Sequence, residues 1–307
     1  KRISGLFNFD HQLNKRMVLS AGVNVSNVGQ NTPYSLNYSA NPTWAARALR
    51  PYQLAYNEDG TINTNSKGET NFPGVYNPLW IAKYDKKYMS ETRVLGNVKL
   101  KYNIWDKLNY TSYFSADYNT LEETTFLNAT MGDGAALGGR SKNYFVRYFN
   151  WLSRNQLDYR YDIKGIENTY VNASVGYEAQ RSKEYLLAAD GFGFPAAHES
   201  LTALSNAATP NGTYGQYSNY SFVTMYGLLD ANFRNRFAIN TSIRRDGSSR
   251  FASNNKYANF YSIGGTWNIH QESFFNQQNI FSFAKLRSSY GTTGNANLGN
   301  YDWMPQA

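Results

Sequence analysis

The 307-residue chain contains no cysteine, which excludes disulfides and thiolate metal sites. Only three histidines occur, His11, His198 and His270, two in expected turns and one in a loop, without HExxH-type spacing. Metal catalysis therefore has no ligand set to work with. No GxSxG elbow marks a serine hydrolase. "GDGAALGGR" (132–140) has Leu137 where a dinucleotide fingerprint needs its third glycine, and no GK[ST] follows, so it reads as an external loop. "YNEDGTINTN" (56–65) lacks the acidic spacing and terminal Glu of a calcium loop, leaving Asp59-Gly60 as a turn. Neither enzyme chemistry nor a cofactor is expected. Long hydrophobic runs are missing too. Without about eighteen consecutive apolar residues there is no transmembrane helix. A transmembrane barrel stays open, because alternating strands never raise a window average. The net charge of +8 comes from Lys and Arg scattered among acids and amides. A nucleic-acid partner would require a dense basic stripe, so none is expected.

What the chain has is aromatic surface: 26 Tyr, 18 Phe and 6 Trp, against a mean hydropathy of −0.59. Many rings in a polar chain suit strands with one apolar and one wet face. Period-two alternation supports this. Phe237, Ile239, Thr241 and Ile243 oppose Ala238, Asn240, Ser242 and Arg244, and Tyr261, Ile263, Gly265, Trp267 and Ile269 oppose Phe260, Ser262, Gly264, Thr266 and Asn268. Asp246-Gly247 supplies a turn signal between these two strands.

About ten strands are expected, in hairpins 3–10/16–26, 92–104/108–119, 143–161/168–180, 218–233/236–246 and 256–269/281–291. Their turns are "HQLNK", "WDK", "DIKGIE" and "RN". Long connections, 27–91, 120–142 and 181–217, alternate with these short ones, and a short helix is expected near 43–49. Short turns at one end and long loops at the other describe an outer-membrane barrel. Trp44, Tyr52, Tyr56, Phe72, Tyr76, Trp80, Phe192 and Phe194 lie in the long loops. Flat rings beside amides and acids suit sugar or peptide binding, while the alternative is packing of loop against loop. Of these, Trp44, Tyr52, Tyr56, Trp80, Phe192 and Phe194 are the candidate substrate-binding residues. The start reads as a hairpin rather than a signal peptide, and both ends look cut.

At RRDGSSRF (244–251), W-x-I-x-x-E-x-F-F (267–275) and KLR-x-S-Y-G-x-T-G-N (285–295), the sequence resembles the SusC/RagA-like TonB-dependent outer-membrane transporters of Bacteroidetes. The stretches "NPLW" (77–80), 97–118 and 155–180 also read like that family's hairpins, so the resemblance covers nearly the whole chain. It implies an all-β, antiparallel transmembrane barrel segment, residues 1–307 being part of a barrel of about twenty-two strands around an N-terminal plug. The plug, TonB box and final strands are absent from this chain. It further implies import of glycans or peptides, driven by TonB, under a SusD-like lipoprotein. Lipid and lipopolysaccharide of the outer membrane are the surroundings. A TonB-dependent siderophore or cofactor receptor and a non-transporting surface binder are the alternatives. Within RRDGSSRF, Arg244, Arg245, Asp246, Gly247 and Arg250 are expected to form a structural rim motif. Gly247-Ser248-Ser249 would reverse the chain, and Arg250 would return positive charge towards Asp246.

Overall fold

The computed structural model describes residues 1–33, 41–50, 52–63, 76–195, 203–275, 281–296 and 298–303. The strands are β1 (Arg2–Asn14), β2 (Met17–Asn31), β3 (Lys86–Trp105), β4 (Leu108–Leu127), β5 (Arg140–Asp162), β6 (Tyr170–Phe192), β7 (Thr209–Phe233), β8 (Phe237–Ser248), β9 (Tyr257–Trp267) and β10 (Leu286–Gly291). They form one antiparallel sheet in sequential order, every strand hydrogen-bonded to the next in the chain. Two short helices, α1 (Pro42–Ala48) and α2 (Pro78–Tyr84), lie between β2 and β3.

Register assigns the faces. Phe237 pairs with Trp267, Thr241 with Ile263 and Ile243 with Tyr261, so the apolar rows of β8 and β9 coincide. Across β5–β7 the same face carries Leu157, Val175 and Met225, and across β1–β4 it carries Phe7, Val23, Val98 and Phe114. Ile243, Met225 and Val175 are 67%, 62% and 58% exposed, unthinkable for a soluble sheet's best apolar face and proper for a face that meets lipid. The opposite face is polar, carrying Arg154, Glu178, Thr224 and Asp246 in one cross-strand row.

Several strands exceed their sequence boundaries. β3 and β4 have 20 residues each, β5 and β6 have 23, and β7 has 25. Crossing a bilayer takes about 9–11 residues, so these hairpins continue well beyond it. Once outside, both faces are wet and the contrast between alternate residues fades, although backbone pairing continues. The connections shrink accordingly: 27–91 becomes 32–85, 120–142 becomes 128–139, and 181–217 becomes 193–208. β1 runs through Asn14, which places His11 in a strand rather than a turn. At the other end β10 begins only at Leu286. The Asp246-Gly247 turn is also corrected. Both residues belong to β8, pairing with Ala258 and Tyr257, and the reversal occupies 249–256. Gly247 is needed for packing instead, since a Cβ there would sit 2.5 Å from the Tyr257 ring.

At the short-turn end, Arg234 and Asn235 both adopt left-handed φ, 51° and 57°, which matches the twist of a tight hairpin. The segment after β9 locks this end. Glu272 receives both Arg236 guanidinium hydrogen bonds and the Trp267 indole N–H at 3.0 Å. These donors hold the Glu272 carboxyl below its ordinary pKa, the Arg236 bond being the larger cause. Trp267 and Glu272 of the W-x-I-x-x-E stretch thus share one hydrogen-bonded corner.

Candidate functional site at the long-loop end

Nearly all the deeply buried apolar side chains lie at the long-loop end. Asn41 caps α1 by accepting from Thr43 and Trp44 amides, and Asn77 caps α2 by accepting from Leu79. Each cap is followed by proline, whose fixed φ and missing N–H suit the first helical position. Ala45 of α1 and Ile81 of α2 are 0% and 3% exposed and pack together, with Leu49 and Tyr76 around them. The Asn77 amide also donates to Ala55 O at 2.9 Å and Asn63 O at 3.0 Å, tying the 52–63 turn to α2. That turn closes on Gly60, with Tyr56 bridged to Ile62 and Asp59 accepting from the Thr61 amide and hydroxyl. These two bonds, the hydroxyl's first, hold the Asp59 pKa low.

Trp80 meets Tyr84 at a tilt with ring centroids 5.0 Å apart, and a Cβ on Gly132 would lie 3.6 Å from the Trp80 ring. The 3-10 turn Gly132–Leu137 therefore closes over α2, so "GDGAALGGR" is a packed turn leading into β5. Asp85, at the end of α2, accepts from the Asn128 amide at 3.0 Å while its other oxygen is buried without a partner. Burial pushes its pKa up to about 6, with the Asp133 charge adding to the rise and the Asn128 bond opposing it.

The six candidate aromatic residues divide. Trp80 and Phe194 are 4% and 6% exposed, Phe194 meeting Phe126 edge to face at 5.5 Å. Both pack within the loops, the alternative weighed for these rings. Half-buried Phe192 lies 5.4 Å under the Arg140 guanidinium, which makes a bidentate pair with Asp190. Trp44, Tyr52 and Tyr56 are exposed, with Tyr52 beneath Arg50. Leu54, 73% exposed between the two tyrosines, joins this outward patch; an isolated leucine in a polar loop carried no sequence signal. Phe72 and His198 lie outside the described residues.

Below the loops, the polar face of the sheet is lined by paired charges: Arg93 with Asp117, Arg154 with Glu178, and Arg244 with Asp246. Asp246 also accepts from Thr224 at 2.8 Å. Tyr226 lies over Gly176, where a Cβ would be 2.2 Å from the ring, and donates to Gln156 at 2.6 Å. This wall offers hydrogen bonds and balanced charge to a polar solute. Among the described residues no cluster suits a metal ion.

Within RRDGSSRF it is Arg250 that departs from the expectation, while Arg244 stays on Asp246. Arg245 faces the apolar side, 5.0 Å over Tyr257. Arg250 turns away from Asp246, stacking on Tyr220 at 4.1 Å and donating to Asn300 at 2.8 Å and Ala296 O at 3.2 Å. Asn300 then donates to Ser218, and the Asn219 amide donates to the Tyr301 hydroxyl. The segment after β10 thereby covers the part of β7 that β8 is too short to pair, satisfying backbone that would otherwise be open.

One antiparallel meander with a lipid-exposed apolar face, a polar inner face and short turns opposite long loops defines a segment of an outer-membrane β-barrel. The chain is 28% identical to TonB-dependent receptor P26 of Formosa agariphila over 83% of its length, covering 26% of that protein. It is 25% identical to TonB-dependent receptor SusC of Bacteroides thetaiotaomicron, again over 83% of the chain and 26% of the relative. The RagAB peptide importer in its open-open state superposes with a TM-score of 0.84 at 22% identity, over 98% of this chain and 33% of that one. No family model matches. The chain is similar to a barrel segment of the TonB-dependent receptors and spans about a quarter of the length of these curated relatives.

Proposed function

We propose that the complete protein imports an oligosaccharide or peptide across the outer membrane by TonB-dependent transport, beneath a SusD-like surface lipoprotein. In this reading residues 1–307 are part of a barrel of about twenty-two strands around a plug that TonB engages. The observation that carries it is the construction of the long-loop end. A folded cap, held through Ala45, Ile81 and Trp80, presents Tyr52, Leu54 and Tyr56 outwards, on a sheet whose inner face carries paired polar groups. Aromatic faces with nearby hydrogen-bonding groups suit extended polar solutes that must be held and released. Trp44, Tyr52 and Tyr56 are assigned to substrate or lid contact, and Trp80, Phe192 and Phe194 to holding the cap. Arg244, Asp246 and Gly247 keep the rim in shape, while Arg250 fastens the strap over β7.

The test uses the complete receptor in its own cell. Uptake of labelled oligosaccharide and peptide mixtures is compared between wild type, a deletion strain and Tyr52→Ala/Tyr56→Ala. The deletion should abolish uptake of one mixture, and the double variant should reduce it several-fold. Loss confined to a metal chelate would favour the siderophore reading. A cysteine at Tyr56 should react with an impermeant thiol reagent on intact cells; labelling only after lysis would invert the topology.

A further inference from the structure

On β5, β6 and β8 the outward apolar row gives way to cations, with Phe145 of β5 and Tyr185 and Leu187 of β6 following them on the same face. After Leu157, Trp151 and Phe149, β5 presents Arg147; after Val175 and Ala179, β6 presents Arg181 and Lys183; after Ile243, β8 presents Arg245. The outward run of β6 from Val171 to Ala179 extends roughly 27 Å along the strand, about 20 Å of height at a barrel tilt, so Arg181 two residues further on reaches the edge of an apolar band about 25 Å tall. These cations consequently stand just above that band, at the level where lipid phosphates lie. Among the described residues of β5–β8 no outward-facing carboxylate accompanies them; the neighbouring strand β4 carries one, Glu122, opposite Phe145.

Arg147, Arg181 and Lys183 are all exposed and take part in no ion pair among the described residues. Inner-face arginines of the same strands behave otherwise, Arg154 being bound to Glu178 and Arg140 to Asp190. Lys183 pairs in register with Phe149 and Arg181 with Trp151. Arg147, opposite Tyr185, is thus a diagonal neighbour of Lys183, at a separation of about 7–8 Å. Its guanidinium is 5.4 Å from the Tyr185 ring, which holds it along the sheet. Three unpaired cations above rings that sit against acyl chains complement a phosphate carried on a hydrophobic anchor.

We propose that Arg147, Arg181 and Lys183 form a binding site for the phosphorylated headgroup of an outer-leaflet glycolipid. The site is on the outside of the barrel wall and follows from placement in the outer membrane, independently of what the receptor imports. The complete receptor, purified in an uncharged detergent, should bind phosphorylated lipid A at least ten-fold more tightly than its phosphate-free counterpart. Raising salt should erode that preference. Arg147→Gln/Arg181→Gln/Lys183→Gln should remove most of it, whereas Arg147→Lys/Arg181→Lys should keep it. Folding is read separately by heat-modifiable migration; if the triple variant does not fold, Arg181→Gln alone should weaken binding two- to five-fold. The proposal is overturned if the wild type does not distinguish the two lipids, if folded Gln variants retain the preference, or if millimolar inorganic phosphate competes as well as the lipid.

Discussion

The membrane-crossing part of the sheet and the cap of loops above it use opposite means of holding together. Across the membrane-crossing residues almost nothing is deeply buried, and Ile243, Met225 and Val175 stand largely exposed. Order comes from continuous backbone pairing, with one face given to lipid and the other to charge pairs such as Arg154–Glu178. The cap is built like a small soluble protein, with capped helices, an Ala45–Ile81 contact, and Trp80 and Phe194 deeply buried. The difference teaches that solvent decides what a core is. A sheet surrounded by lipid satisfies its backbone internally and leaves its apolar side chains outside, whereas loops in water must bury theirs.

That contrast sets the expected effects of substitution. The largest belongs to the cap: Trp80→Ala leaves a cavity and should cost about 3–5 kcal/mol of cap stability. Protease cleavage within the loops should rise sharply while heat-modifiable migration of the barrel is unchanged; joint loss of both would mean the two regions are one cooperative unit. In the sheet, Ile263→Lys places a charge in lipid and should cost about 2–4 kcal/mol. Ser262→Lys, on the wet face beside Ser242, should be tolerated, as read by the folded fraction in outer membranes. Equal effects would shift the register by one residue.

Asp85 gives the cap a pH dependence. Its pKa of about 6 lies above the ordinary value of 3.8, so the folded cap binds the proton more tightly than the unfolded chain. The resulting stabilisation is complete below about pH 4 and lost as pH rises through about 6, amounting to roughly 2–3 kcal/mol. Asp85→Asn should abolish that component, so loop protection in wild type and variant should diverge between pH 4 and 7. An identical pH profile in both would remove Asp85 as its source. The smallest effect is expected from Asp246→Ala, which frees Arg244 and Thr224 on a half-exposed wall and should cost about 1 kcal/mol. Thermal unfolding of the complete receptor measures it. Loss of substrate binding without any stability change would instead assign Asp246 to the binding site.

Much of the sheet was legible because alternation is a local property. The alternating rows of β8 and β9, with Ile239 and Ile243 on one side and Ile263 and Trp267 facing with them, and the Arg234-Asn235 turn, appear where the sequence puts them. Strand ends were less legible: beyond the bilayer β6 and β7 continue with both faces in water, and alternation loses its contrast. Asp246-Gly247 misled for a related reason. Its turn chemistry is real, but pairing with Ala258 and Tyr257 outweighs it. α1 was anticipated near its place, whereas seven-residue α2 was missed because its apolar face matches the surface beneath the 3-10 turn, not a long helical period.

Sequence by itself determined what each residue and its near neighbours decide: the side of the sheet on which Ile263 or Ser262 falls, and the hairpin at Arg234-Asn235. Tertiary structure decided what depends on distant partners: that Arg250 meets Asn300 rather than Asp246, that Trp80 and Phe194 are buried while Tyr52 and Tyr56 are not, and that Asp85 keeps its proton to about pH 6. The physical reason is range. Period-two facing follows from backbone geometry a few residues at a time, whereas burial, desolvation and choice of ion partner depend on segments brought together from 50 residues or more away, as Arg250 and Asn300 are.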